Sequence, residues 1–326
     1  MTDHLLYGAE GSPYSVKMRA VLRYKRLPYR WLHPRQGGDI FAHVKAPVIP
    51  VIRFPDGRWA NDSTPMIREI EAAHPERGLV PPDEADAFLC WLLEDFADEW
   101  GTKAMFHYRW APEADRDVNA FNLIQLGLFG TGSRAAVEAA AAQFRDRQVG
   151  RMALVGCTPE NAPVIEESAR RVLALIDAEV ERGPWLFGSR PSAADFAWYG
   201  QLWQLLRDPT PRHMLRADFP AAFAWLEMAD DASGVEGEWR GAGEAALGLA
   251  RLAGEVYLPF LAANAAALRE GRERVVVELL GRPYVQAPFK YQARCLAELR
   301  ALHAGLSPAA RARVDALLGP SASVLH

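Results

Sequence analysis

Leu5-Leu6-Tyr7-Gly8-Ala9-Glu10-Gly11-Ser12-Pro13-Tyr14-Ser15-Val16 is the stretch on which the reading of this chain turns. The apolar run 5–7 breaks at Gly8 and Gly11, and a helix-like stretch follows with Val16, Met18, Ala20, Val21 and Leu22. A short strand, a glycine-containing loop and a helix start put backbone N–H groups and the positive end of a dipole beside residues 12–15. Thiol redox proteins carry Cys-x-x-Cys at such a junction because that field lowers a thiol pKa. Here both end positions are serine, with Pro13 and Tyr14 between them. The frame of a thiol-handling site is kept without a thiol of its own, which points to a partner that brings its sulfur from outside.

Working outward, 29–32 reads as a second strand and 48–54 as a third. Pro55-Asp56-Gly57 turns the third into 58–60, a hairpin, and a helix follows over 65–73. Strand-helix-strand followed by hairpin-helix is the order of a small thioredoxin-like α/β layer. Two features inside it bear on chemistry. Ile49-Pro50 opens the third strand, and a cis bond there would turn both backbone groups of Ile49 toward a cleft. Asp62-Ser63-Thr64-Pro65 starts a helix, with Ser63 or Thr64 as a natural cap and Pro65 at the first helical position. The same residues also suit an anion site, with Asp62 facing a ligand ammonium.

Beyond residue 76 the pattern changes. The stretch 74–84 is rich in proline, glycine and charge, and 77–84 is taken as a linker. An all-helical domain is expected over 85–234, with helices at 86–110, within 130–163, and at 163–181, 192–207 and 219–229. Residues 235–326 form a C-terminal extension, helical over 245–268 with a kink near Pro259, strand-like over 274–280 and helical again over 291–303. Its expected role is to brace the helical domain or cover its cleft.

Composition limits the function. Half of the 326 residues are hydrophobic, 24% are charged and the formal charge is −4, with no long Lys/Arg block, so nucleic-acid binding has little support. No apolar run reaches the ~18 residues of a membrane span, and the start Met-Thr-Asp-His is unlike a secretory signal. Cys90, Cys157 and Cys295 are few and far apart, against a disulfide framework or a zinc site. A cytoplasmic protein without a metal is the expectation.

Ser12, Pro50 and Asp62-Ser63, in that order within one α/β layer, resemble the N-terminal domain of the cytosolic glutathione transferase superfamily. In the helical part, Gly188-Ser189-Arg190-Pro191-Ser192-Ala193-Ala194-Asp195 is similar to the family's buried capping box. The resemblance covers roughly residues 4–230. It implies a thioredoxin-like domain followed by a larger all-helical one, and an enzyme that adds the thiolate of glutathione to a small hydrophobic electrophile in the cleft between them. It further implies that Ile49, beside a cis Pro50, pairs with the cysteinyl backbone, that Asp62 and Ser63 hold the γ-glutamyl group, and that the protein is a homodimer. Ser12 would donate a hydrogen bond to the sulfur. Tyr7, at the end of the first strand, and Tyr14, inside the segment, compete for that role. No cysteine lies near the site, against thiol–disulfide chemistry. Two alternatives stay open: a non-catalytic binding or assembly module, and a glutathione-dependent isomerase or lyase with a narrow substrate.

One hydroxyl is enough for the activation. A thiol of pKa about 8.5 needs about 2.7 kcal/mol to move down by about two units. A hydrogen bond to a charged group contributes roughly 1.5–3 kcal/mol and a helix N-terminus up to about 2. For the second substrate, the run 94–110 is dense in aromatic and charged residues, and Glu99, Lys103 or His107 could contact the acceptor. At helical spacing Asp95, Glu99, Thr102 and Phe106 fall on one face.

Overall fold

The computed structural model describes residues 3–128, 132–180 and 183–326. Parts of the sequence reading at Met1, Thr2, Gly130 and Glu181 lie outside these. Strand β1 (His4–Tyr7) is flanked by β2 (Tyr29–Leu32), parallel to it, and by β3 (Val51–Arg53), antiparallel. Antiparallel β4 (Trp59–Asn61) completes the four-stranded order β2-β1-β3-β4. The period of two sorts the side chains. Leu6 and its cross-strand partner Ile52 face the helices, whereas Tyr7 and its partner Val51 pack on the opposite face with Ile40. The third strand is shorter than the predicted 48–54, because Pro50 has no N–H to give to the ladder. Helices α1 (Pro13–Tyr24) and α2 (Ser63–Ala73) cover the first face.

The part that follows, up to residue 229, is helical, as predicted. Helix α3 (Glu84–Phe96) runs through a π-helical turn, Ala97–Gly101, into α4 (Thr102–Trp110). There follow α5 (Arg116–Gly127), α6 (Arg134–Val149), α7 (Ala162–Val180), α8 (Ala193–Arg207), α9 (Pro209–Asp218) and α10 (Pro220–Ala229). The capping box forms at α8: the Asp195 amide donates to Ser192 Oγ at 3.3 Å and the Ser192 amide to Asp195 Oδ2 at 2.8 Å. Asp195 Oδ1 accepts from Leu186 as well, at 3.0 Å. Helix α8 lies directly on α1, and a Cβ at Gly200 would sit 2.6 Å from the Pro13 carbonyl oxygen. The junction between the two parts is packed. Leu79 is fully buried, its carbonyl accepts from the Ala193 amide at 2.8 Å, and Arg77 bonds the Tyr24 and Val235 carbonyls.

The C-terminal extension contains α11 (Glu244–Leu252), a second π-helical turn at Ala253–Tyr257, and α12 (Leu258–Arg269). Pro259 accounts for the wider turn, since its ring crowds the carbonyl of residue 255 and it offers no N–H. Against the sequence expectation, Glu244–Arg269 is long and apolar enough to cross a membrane, but 67% of its apolar window is buried within the protein. The predicted strand 274–280 is β5 (Val275–Leu279). It pairs with a strand the sequence reading missed, β6 (Arg282–Gln286), through Leu280 and Gly281, both at positive φ as a two-residue hairpin turn requires. Helices α13 (Lys290–Ala304) and α14 (Pro308–Leu318) complete the extension.

Candidate functional site

Strand β1 ends at Tyr7, and the loop 8–11 carries the chain to Ser12, the N-cap of α1. A Cβ at Gly8 would lie 2.6 Å from the Trp31 ring, so glycine lets the loop pass under β2. Ser12 Oγ accepts from the Ser15 amide at 3.3 Å. A hydroxyl has one proton and two lone pairs, so this cap leaves the Ser12 O–H free to donate. The Tyr14 amide, in the first turn, has no intrahelical partner. Both groups point the positive end of α1 at whatever lies beyond Ser12.

Beyond it is a cavity of about 710 Å³ between the α/β layer and α4–α6. Ser12 and Ile49 line it together with Trp31, Met105, Phe106, Trp110 and Phe144, and Glu10, Arg35, Arg109 and Arg147 are its charged lining residues. One buried side chain of the helical domain sets the loop at its edge. Arg109 donates to the Gly11 carbonyl at 3.0 Å, to Gln204 Oε1 at 2.7 Å and to Asp208 Oδ2 at 2.9 Å, while Gln204 Nε2 reaches the Glu10 carbonyl at 3.1 Å. The sequence held no signal for this role, because an arginine late in a helix reads as a dipole partner.

Of the other predicted site residues, only Ile49 is on the cavity wall; Tyr7, Tyr14, Pro50, Asp62 and Ser63 lie apart from it. The Ile49–Pro50 bond is cis. Ile49 lines the cavity, and among the described residues no backbone hydrogen bond engages its amide or carbonyl. Tyr7 is on the far face of the sheet, its ring stacked on Trp59 with centroids 5.7 Å apart. Tyr14 turns into the domain junction, where its hydroxyl donates to the Asp98 carbonyl at 2.9 Å; burial, then Glu99 and Asp98, push its phenol well above the usual range.

Ser63 is buried in an ionic cluster at the meeting of α1, α2 and α3. Lys17 Nζ bonds Glu94 Oε1 at 2.5 Å, Asp98 Oδ2 at 2.7 Å and Ser63 Oγ at 3.3 Å. The Ser63 hydroxyl donates to Asp98 Oδ2 at 3.2 Å and that of Thr64 to Glu94 Oε1 at 2.7 Å. Burial works against the Lys17 ammonium, but Asp98 and Glu94 outweigh it and hold Lys17 above its usual value. Burial, resisted by Lys17 and reinforced by Glu94, pushes the Asp98 carboxyl up to about 7. Asp62 lies next to this cluster but outside it, half-buried at φ +77°, and its Oδ2 accepts from the Tyr291 hydroxyl of α13 at 2.7 Å.

Of the acceptor candidates on α3–α4, none lines the cavity. Glu99 is half-buried, and burial with Asp95 and Asp98 pushes it up to about 8. Lys103 Nζ bonds Gln286 Oε1 at 2.7 Å and the Val155 carbonyl at 3.1 Å, and burial brings it down to about 8. His107 Nε2 is 2.7 Å from Glu166 on α7. Met105, Phe106, Arg109 and Trp110 line the cavity instead. Among the described residues, a set of metal-compatible donors, His303, Asp315 and His326, lies within 4.8 Å of one another, in the extension.

Residues 6–78 match the family model of the glutathione S-transferase N-terminal domain, and residues 134–227 that of the glutathione S-transferase C-terminal domain. Among solved structures, the chain is similar to a glutathione S-transferase of Methylobacterium radiotolerans JCM 2831 in complex with glutathione sulfonate, with 21% identity, a TM-score of 0.42, and 71% of this chain and 92% of that one covered. It is also similar to a glutathione transferase of Phanerochaete chrysosporium, with 16% identity, a TM-score of 0.49, and coverage of 70% and 96%. For the β-etherase LigF of Sphingobium sp. strain SYK-6 the identity is 16%, the TM-score 0.48, and the coverage 69% and 94%. No curated protein matches the chain.

Proposed function

The chain belongs to the glutathione S-transferase superfamily, and from that premise we propose that it binds glutathione, stabilises its thiolate with Ser12 and adds it to a hydrophobic electrophile. The observation that carries this reading is the Ser12 hydroxyl at the start of α1, on the wall of an aromatic cavity of about 710 Å³. The cysteinyl backbone pairs with the open amide and carbonyl of Ile49. Asp62 takes the γ-glutamyl ammonium. Ser63 serves the γ-glutamyl carboxylate through its first-turn amide, since its hydroxyl is spent on Asp98. The sulfur then meets the Ser12 O–H, and the electrophile occupies the space among Phe106, Trp110 and Phe144.

No general base is required, because the proton leaves a thiol whose pKa two effects have lowered. The thiolate carries the attacking electron pair, and the new carbon–sulfur bond forms as the leaving group or the electrophile's π pair departs. The three cysteines are buried and unpaired, which suits a reducing, cytoplasmic setting. We place the enzyme there and expect a two-fold homodimer. The test is calorimetric titration with glutathione together with the ultraviolet absorbance of the bound thiolate. Binding with a thiolate that persists below the pH of free glutathione supports the transferase. Binding without a thiolate leaves the binding module, and no binding overturns the proposal.

A further inference from the structure

The contact between α13 and Asp62 gives the C-terminal extension a role in this site. We propose that Tyr291 is a positioning residue of the glutathione site, its hydroxyl holding the Asp62 carboxylate, 2.7 Å away, turned toward the ligand ammonium. The inference rests on Asp62 being the ammonium partner. It adds a residue from outside the two domains that match the family models, 229 positions away along the chain.

The geometry favours a neutral donor in this place. Asp62 sits at φ +77°, between β4 and α2, and makes no capping bond of its own to the helix it precedes. Its orientation must come from elsewhere. The charged or titratable groups that act on it most strongly are Tyr291 and Arg294 from α13, Glu94 from α3 and Lys17 from α1. Both cations are engaged, Lys17 with Glu94 and Asp98, and Arg294 with Glu298 at 2.8 Å. An arginine bonded to Asp62 would neutralise the charge that the ligand ammonium needs. A phenol fixes one carboxylate oxygen and leaves both the charge and the other oxygen to the ligand. Burial raises the Asp62 carboxyl and the Tyr291 bond opposes that rise, so the hydroxyl also favours the ionised form.

The start of α13 is held in place for this contact. Buried Asn264 on α12 clasps the Phe289 main chain, accepting from its amide at 2.8 Å and donating to its carbonyl at 2.9 Å. On the far side, Arg68 of α2 reaches Glu298 at 3.5 Å. Tyr291 therefore meets Asp62 from a fixed helix end, whereas a tethered tail would have to order itself on each encounter.

The test is Tyr291→Phe, first checked for an unchanged unfolding temperature, with calorimetric affinities for glutathione and for the dipeptide Cys-Gly, which lacks the γ-glutamyl group. Loss of a hydrogen bond to a charged group predicts about tenfold weaker glutathione binding, unchanged Cys-Gly binding, and no further loss when Tyr291→Phe is added to Asp62→Asn. Glutathione affinity that is unchanged or improved overturns the inference, and improvement would make Tyr291 a competitor for Asp62. Carbon-13 titration of Asp62 separates this outcome from a failure of the functional reading. If the wild-type protein binds no glutathione, the site assignment falls, and the inference with it, while an upward shift of the Asp62 titration in Tyr291→Phe still shows the coupling between the two residues. An unshifted titration removes the coupling itself.

Discussion

At Ser12 one hydroxyl has two tasks, and a single substitution separates them from what Tyr7 does. Ser12 Oγ caps α1 through the Ser15 amide, and under the proposed function its proton goes to sulfur. Ser12→Ala loses the cap, about 1 kcal/mol of stability, and the thiolate donor, raising the pKa of bound glutathione by about 1–2 units. The sign follows from the charge state: a weaker donor disfavours the anion, so the rising limb of the activity profile moves to higher pH. Ser12→Thr keeps both functions. Tyr7→Phe should leave the thiolate untouched, because Tyr7 stacks on Trp59 across the sheet from α1. A pH titration of thiolate absorbance on the three variants decides the matter. A shift in Tyr7→Phe as large as that in Ser12→Ala would move the activating hydroxyl to Tyr7.

Among the elements, the junction of α1, α2 and α3 is held by one buried ammonium. Lys17 is fully buried and bonds Glu94 Oε1 and Asp98 Oδ2, while the second oxygens, Glu94 Oε2 and Asp98 Oδ1, are buried with no hydrogen-bond partner among the described residues. Lys17→Met strands two carboxylates in the interior, which costs about 3–5 kcal/mol. Adding Asp98→Asn should recover part of that loss, because burial already pushes Asp98 up to about 7 and the amide removes its share of the stranded charge. Urea denaturation of the three proteins measures both steps, and an additive double variant would mean that the cluster is not coupled. The same junction shows where the sequence was legible. The start of α1 and the α8 capping box are local, each set by residues within about a turn of one another, whereas the cis bond at Pro50 entered only through the family resemblance, because an X–Pro bond taken alone is usually trans. The face of α3–α4 was not legible. An extra residue in the π-helical turn advances everything after it by about 100°. Asp95, Glu99, Thr102 and Phe106 therefore do not share the face that regular spacing assigns them: Asp95 meets Tyr257, while Phe106 lines the cavity. Nor could local pattern reveal Tyr291 against Asp62, a contact that exists only once α13 has packed beside α2.

For the whole molecule, the extension binds to the rest through acids on or beside α2 and α3. Tyr291 meets Asp62, Arg313 meets Asp83 at 2.8 Å, and Tyr257 donates to Asp95 at 2.6 Å. The last of these makes stability depend on pH. Burial, eased by the Tyr257 bond and worsened by Glu94, pushes the Asp95 carboxyl up to about 7, and neighbouring Glu99 rises to about 8. In the unfolded chain such groups ionise near pH 4 (about 3.9 for Asp and 4.3 for Glu). Between about pH 4 and the folded values, the folded protein keeps protons that the unfolded chain has released, so stability falls as pH rises through that window and levels off above it. A rise of roughly three units at about 1.4 kcal/mol each sets the Asp95 share at no more than about 4 kcal/mol. Asp95→Asn keeps an acceptor for Tyr257 and removes the titration. The variant should therefore gain stability relative to wild type at about pH 8 and much less at about pH 5, flattening the decline without abolishing it, because Glu99 remains. Denaturant unfolding at the two pH values measures the difference directly, and equal slopes in the two proteins would mean that Asp95 ionises in the fold as freely as in the open chain.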